Sequence, residues 1–470
     1  MKRRLILFSL ILLVFPALLH TQQSSRLTKE QTTWLSKANR HEKNGWIYLH
    51  IDGTPRERGF QHGYLMASEI KEALRVLKVA WGYQTSTEWS WAVEKGAAMF
   101  TPKVDAENLA EIDGIAEGMN AARISTSRDE LVAYNGWMEL LWYWWPTVKD
   151  SIAPNTPAPL KESCSSFIAT GSMTADGKIV LGHNSWNDYF FPDYNVVMDI
   201  VPAKGHRILM QTAAGLIHSG TDFFVTDAGL VGSETTIADF TLFDPSGIPE
   251  FARVRRAMQD ASSIDEWCEI MKKGNNGGYA NSWLVGDIKT NEIARFEIGL
   301  KYVGFEKKKD GYFSGSNIAD DLKILRRETK SNELNIKLPN IARRVRWGQL
   351  MKENKGKINI ERGKAFLSDH FDTYLNTAAP DSRTLCGHWE LDNEASGLFE
   401  PFRPLGAYDG KILDATMAQN MSLAARWGSS CGMAFDAKQF LRDHPQFEWM
   451  SGILKDRPTQ PWTEFKAGEK

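Results

Sequence analysis

Cys164 closes a proline-rich run and opens an apolar one, and the chemistry of this 470-residue chain starts there. Residues 150–163 read DSIAPNTPAPLKES, with three prolines and almost nothing that would enter a core. Such a run is expected to be an exposed linker. A cysteine that follows it directly, in the small polar setting Glu162-Ser-Cys-Ser-Ser166, is poorly placed for packing, although a structural thiol is the plainer reading of a lone cysteine. If the Ser163–Cys164 bond breaks, one residue carries both nucleophile and base. The thiol attacks the Ser163 carbonyl to give a thioester, and water then releases residue 163. The new α-amino group, with an ordinary pKa of about 7.7–8.0, is suited to accept protons at neutral pH. Threonine hydrolases with a terminal amine use the same economy, and no Ser-His-Asp triad is needed.

His183 is the natural rival as base. Two strand-like runs, Cys164–Met173 and Lys178–Trp186, flank Asp176-Gly177, which reads as a two-residue hairpin turn. That register sets His183 opposite Thr170 and Cys164 opposite Tyr189, on one face but roughly 20 Å apart. His183 is therefore assigned to a substrate pocket or an orienting role, with a structural hydrogen-bonding histidine as the alternative. Metal ligation is not expected, because the ten histidines show no His-Glu-x-x-His and the cysteines no Cys-x-x-Cys spacing. No cofactor is expected either. Gly428-Ser-Ser-Cys-Gly432 fits the Gly-x-Ser-x-Gly elbow of serine esterases, but that elbow follows a strand, and residues 414–427 read as a helix. Of the four cysteines, Cys386 and Cys431 form the preferred bridge and Cys268 is expected to be buried and free.

The elements that must position Cys164 follow a simple order. Lys2, Arg3 and Arg4 precede an apolar run of about 15 residues, shorter than the roughly 20 a spanning helix needs. Residues 1–22 read as a signal peptide, implying a secreted, periplasmic or lysosome-like lumenal protein. Residues 23–149 form a helix-rich part with one strand at Gly45–Gly53, and 150–163 the linker. Residues 164–470 carry strands near Asn195–Val201, Arg207–Thr212, Leu230–Ile237, Asn281–Asp287 and Ile293–Ile298, with helices at 250–261, 264–272 and 414–427. Strand runs between helix pairs predict an α/β (α+β) fold of stacked sheets between helical layers. The 56 basic and 58 acidic residues leave a charge of −2, so a nucleic-acid partner is not expected. The 17 tryptophans read as core packing, with an apolar groove for an acyl chain as the alternative.

Several segments, in order, resemble the phospholipase B-like family of N-terminal-nucleophile (Ntn) hydrolases, and more distantly the penicillin-type cysteine acyltransferases. They are Cys164-Ser-Ser, His183-Asn-Ser-Trp-Asn-Asp-Tyr189, Thr221-Asp-Phe-Phe with Glu234-Thr-Thr236, Tyr279-Ala-Asn-Ser-Trp-Leu-Val-Gly-Asp287, Gly315-Ser-Asn-Ile318 and Tyr408-Asp-Gly-Lys with Asn420-Met-Ser. The resemblance implies an αββα sandwich of two antiparallel sheets, autoproteolysis before Cys164 and two fragments that stay associated. It makes Cys164 the nucleophile and Asn281 an oxyanion-hole donor, with His183, Trp186, Thr235 and Arg343 binding substrate. The Thr235/Thr236 and Arg343/Arg344 choices stay open by one residue, and a turn role for Asn281, a core role for Trp186 and a solvated helix face around Arg343 are the alternatives. The chain lacks the closely spaced cysteine pair that animal members carry in the C-terminal third. The implied activity is deacylation of phospholipids or lysophospholipids through a thioester, with transient contact at a membrane surface. An amidase or acyltransferase acting on N-acyl or peptide substrates is the first alternative. A non-catalytic lipid-binding protein on the same scaffold is the second.

Overall fold

The computed structural model describes residues 27–156, 164–191, 193–220, 223–393 and 400–470. The expected signal peptide, Ser163 and the second half of the linker lie outside the described residues. Among the described residues, no helix is long and apolar enough to cross a membrane.

Two large sheets form the body of the molecule. The first has nine strands in the order Asn39–Lys43, Trp46–Gly53, Val196–Pro202, Ile208–Thr212, Phe223–Thr226, Leu230–Thr236, Asn281–Asp287, Glu292–Ile298 and Val303–Lys308. All its pairings are antiparallel except that of Trp46–Gly53 with Val196–Pro202, which is parallel. The second is antiparallel with six strands, Gly311–Gly315, Ser165–Thr170, Val180–Asp188, Leu405–Asp414, Ser422–Trp427 and Thr463–Lys466. The strands Ser165–Thr170, Val180–Asp188, Leu230–Thr236 and Asn281–Asp287 are buried along their whole length, as strands covered on both faces must be. The sheets face each other through Ser165–Thr170, which packs on Leu230–Thr236 and Asn281–Asp287. At the seam Ser166 Oγ meets Ser233 Oγ at 2.6 Å.

Helices cover the outer faces, completing the αββα order. Glu250–Asp260 and Ile264–Lys272 lie on the nine-stranded sheet, where Trp267 packs edge-on to Trp283. Ile360–Leu367 packs on Val180–Asp188 and Leu405–Asp414 of the other sheet. In the N-terminal part, Pro55–Leu65 and Ala106–Ala121 meet backbone to backbone. A Cβ on Gly63 would stand 2.0 Å from the Ile115 carbonyl oxygen, and one on Gly118 2.4 Å from that of Phe60. These glycines weaken an isolated helix but permit the contact. Fully buried Glu111 joins that pair to the helix beyond the linker, accepting from Arg58 Nε at 2.7 Å and from Arg255 at 3.1 Å.

Two local expectations are corrected. The hairpin after Cys164 pairs Ser165 with Asn184 and Ser166 with His183, not Thr170 with His183. A short 3-10 turn, Gly171–Met173, lengthens the connection well beyond Asp176-Gly177, so the register slips by four and keeps its parity. His183 is thus near the nucleophile end of the hairpin, and the separation argued from a tight turn does not hold. Residues 414–427 are not one helix: a strand ends at Asp414, a helix spans Ala415–Gln419, and Ser422–Trp427 is a strand.

Candidate active site

Cys164 sits at the entrance to its strand, only 3% exposed, with a backbone φ of +83°. That left-handed conformation is unusual for a residue with a side chain, and neighbours must hold it. Arg343 does so from the helix Pro339–Glu353. Its Nη1 donates to the Cys164 carbonyl oxygen at 2.6 Å and its Nη2 to Asn317 Oδ1 at 2.9 Å. The guanidinium lies 4.1 Å from the centroid of the Trp186 ring. Arg344, one residue on, turns outward and pairs with Asp320. Of the two arginines, Arg343 is therefore the one beside Cys164.

The thiol faces a carboxylate. Cys164 Sγ is 3.9 Å from Glu234 Oε1, which also accepts from the Tyr279 hydroxyl at 2.9 Å. The described pairing of Phe223–Thr226 with Leu230–Thr236 ends at Phe223 and Ser233. One residue further, the Glu234 carbonyl oxygen is bound by His183 Nε2 at 2.9 Å. A carbonyl only accepts, so Nε2 carries the proton and Nδ1 is the bare nitrogen. Burial, helped by the nearby Lys411 ammonium, pushes the His183 pKa well below its usual value, so the ring stays neutral at physiological pH. Lys411 is itself fully buried, bound to Asp409 Oδ1 at 2.7 Å and to Ser185 Oγ.

Asn281 opens its strand two residues after Tyr279. Its side chain is fully buried, and neither its amide nitrogen nor its oxygen has a hydrogen-bond partner among the described residues. An uncommitted buried amide is costly in a resting structure and is the kind of donor an oxyanion hole requires. Thr235 Oγ1 is likewise buried without a partner, close enough to Gly315 that a Cβ there would come within 2.4 Å of it. Thr236 connects to Asn317, the partner of Arg343, through its backbone: its carbonyl accepts from Asn317 Nδ2 at 2.9 Å. Trp186 is buried as a platform for Arg343 and packs edge-on to Trp389. Cys164, His183 and Arg343 thus gather around Glu234 or the Cys164 carbonyl, with Trp186 behind them. No described hydrogen bond joins Asn281 or Thr235 to them.

Glu234 and Tyr279 were not among the expected site residues. An acid in the otherwise uncharged, fully buried strand Leu230–Thr236 was the available signal. The tryptophans divide. Trp81, Trp89, Trp91, Trp144 and Trp145 pack on one another, whereas Trp142 reaches the site side, 6.5 Å from the Tyr279 ring. The esterase-like Gly428–Gly432 segment follows a strand after all, but no helix begins until Ala437. Its Ser430 hydroxyl is fully buried and donates to the Leu367 carbonyl at 2.6 Å, so it is not a nucleophile. Cys268 is buried and free, its thiol pushed up to about 12 by burial. Cys386 and Cys431, expected to bridge, are both free thiols. With His370 and His388 they form a cluster that the spacing rules for metal ligands missed.

The family model for phospholipase B matches residues 104–314. Over that stretch the chain is similar to the phospholipase B family. The match takes in Cys164, His183, Trp186, Glu234, Thr235 and Asn281, and stops before Arg343. An uncharacterized protein of Archaeoglobus fulgidus is 26% identical over 261 residues, 53% of this chain and 42% of that one. Phospholipase B-like protein C of Dictyostelium discoideum is 30% identical, over 34% of this chain and 30% of its own length. Phospholipase B of Crotalus adamanteus is 23% identical over 53% of this chain and 48% of its own. The chain therefore spans half or less of these relatives. A conjugated bile acid hydrolase from Clostridium perfringens aligns at 10% identity over 64% of this chain and 96% of its own, with a TM-score of 0.35.

Proposed function

We propose that this chain is an exported, self-processing cysteine hydrolase that removes acyl groups from phospholipids or lysophospholipids, with Cys164 as nucleophile. The observation that carries the reading is the left-handed backbone of Cys164, held by Arg343 beside a carboxylate. Residues held in sparsely populated backbone regions carry strain of order 1–3 kcal/mol. The torsion in question is defined through the carbonyl carbon of residue 163, so cutting the 163–164 bond abolishes it.

Before cleavage the Cys164 nitrogen belongs to a peptide and accepts no proton. The first step needs another acceptor, and Glu234 Oε1 faces the thiol. The thiol proton passes to Glu234, and sulfur attacks the Ser163 carbonyl carbon. The C–N bond breaks as Glu234 returns the proton to the departing nitrogen, and water hydrolyses the resulting thioester. In the mature protein the free α-amine takes over as base. Sulfur then attacks the substrate carbonyl, charge develops on its oxygen, and the uncommitted Asn281 amide stabilises it. The alcohol leaves with the proton that the α-amine took from the thiol, and water cleaves the acyl thioester to regenerate the thiol.

Intact-mass and N-terminal peptide analysis of the purified protein tests this reading, alongside acyl release from phospholipids, lysophospholipids and N-acyl amides. A fragment beginning at Cys164 and preferential release from glycerolipid esters are expected. An active protein with an intact 163–164 bond would overturn the mechanism, and release from amides alone would overturn the substrate class.

A further inference from the structure

Beneath Trp186, outside the segment that matches the family, four side chains from distant parts of the sequence converge. One ring nitrogen each from His370 and His388 and the sulfurs of Cys386 and Cys431 all lie within 4.8 Å of one another. His388 Nε2 stands 3.4 Å from Cys386 Sγ and 3.5 Å from Cys431 Sγ. Tetrahedral zinc, with roughly 2.3 Å to sulfur and roughly 2.0 Å to nitrogen, separates those two ligand types by roughly 3.5 Å. We propose that His370, Cys386, His388 and Cys431 bind one zinc ion in a closed structural site.

The surroundings are those of metal ligands. His388 Nδ1 lies 2.8 Å from Glu390 Oε1, and a carboxylate accepts, so Nδ1 carries the proton and Nε2 presents its lone pair to the two sulfurs. A carboxylate behind a ligating histidine fixes its tautomer and raises its basicity. Glu390 is steadied in turn by the Tyr189 hydroxyl at 3.0 Å. A donor also reaches one sulfur: the Met433 amide nitrogen lies 3.3 Å from Cys431 Sγ. His370 Nε2 is buried without a hydrogen-bond partner among the described residues. Two thiolates and two imidazoles in this arrangement select zinc over calcium or magnesium, which prefer oxygen. Binding releases the two thiol protons and leaves the ion with two cysteinyl and two histidyl ligands. A Cys386–Cys431 disulfide is the competing use of the same sulfurs, and it would leave both imidazoles without a role.

The ion would fasten the loop that supports the candidate active site. Between two of its ligands lies Gly387, so close to Trp186 that a Cβ there would be 2.1 Å from the indole. Trp186 in turn carries Arg343, which holds the Cys164 carbonyl. The inference does not depend on the chemistry proposed for Cys164.

The test uses the full chain purified without chelator. Metal analysis should give about one zinc per chain. Cys386 and Cys431 should resist alkylation until a chelator is added. Cobalt(II) in place of zinc should give the visible bands of a tetrahedral ion together with thiolate-to-cobalt charge transfer. Cys431→Ser should abolish stoichiometric zinc. The milder Glu390→Gln, kept for the case that the first variant fails to fold, should weaken zinc about 10–100-fold. A Cys386–Cys431 disulfide in the non-reduced peptide map would overturn the proposal. So would two freely alkylated thiols and no cobalt spectrum after the wild-type protein is incubated with the metal.

Discussion

On the strands Val180–Asp188, Leu230–Thr236 and Asn281–Asp287, buried polar atoms stand without partners among the described residues: His183 Nδ1, Thr235 Oγ1 and the Asn281 amide. Around Cys386 and Cys431, by contrast, an amide reaches one sulfur and the central imidazole is held by Glu390, while only His370 Nε2 among the four ligands lacks a partner among the described residues. A buried polar atom without a partner costs about 1–3 kcal/mol. A fold tolerates such atoms where something arriving later completes them: a substrate oxyanion for the Asn281 amide in the proposed mechanism, and the proposed zinc ion for His370 Nε2. In the proposed mechanism the first cluster is the place of reaction, and the second is its anchor.

The largest test of that contrast is Cys164→Ala, which should lower acyl release on the order of 10⁴-fold or more and leave the chain unprocessed. Cys268→Ala, in a remote buried thiol, should keep turnover within a few-fold of wild type in the same assay. Next comes Asn281→Ala. It should lower kcat about 10²–10³-fold with little change in the urea midpoint, because the side chain it removes has no partner to abandon among the described residues. A large stability loss with unchanged kcat would make Asn281 a structural residue. Arg343→Lys removes the two-pronged grip on Cys164 and Asn317, and should cost about 2–3 kcal/mol in urea unfolding while slowing appearance of the processed fragment. The smallest effect concerns pH. His183 is held neutral, and burial likewise lowers His62 to about 4 and His218 to about 3. The unfolded chain takes up protons below about pH 6.5 that the folded chain refuses, so stability falls as pH drops below that value. His183→Gln should flatten this slope by about 1.4 kcal/mol per pH unit relative to wild type. An unchanged slope would mean that His183 is charged in the folded protein.

Much of this was legible in the chain. Alternating apolar runs located the strands, and a cysteine ending a run with three prolines marked the candidate nucleophile. The hairpin register was not legible, because Asp176-Gly177 is a strong turn signal and the 3-10 turn at Gly171–Met173 has no comparable one. Residues 414–427 misled because apolar positions in a short helix followed by a strand imitate a longer helix. Glu234 was visible as part of a motif, yet its value lies in facing Cys164 across 70 positions of sequence. The His-Cys-His-Cys cluster shows the limit most clearly. Only Cys386 and His388 are near neighbours in sequence, so spacing rules drawn from compact metal loops pass over it.

The parallel pairing of Trp46–Gly53 with Val196–Pro202 has a consequence for the processed molecule. Cutting after Ser163 would leave two polypeptides sharing one sheet, with Arg58 of one and Arg255 of the other meeting on Glu111. The product is then a heterodimer by covalent count and a single body by hydrogen bonding. Its refolding becomes a bimolecular encounter, and its melting temperature rises with protein concentration in a way that the uncut chain's does not.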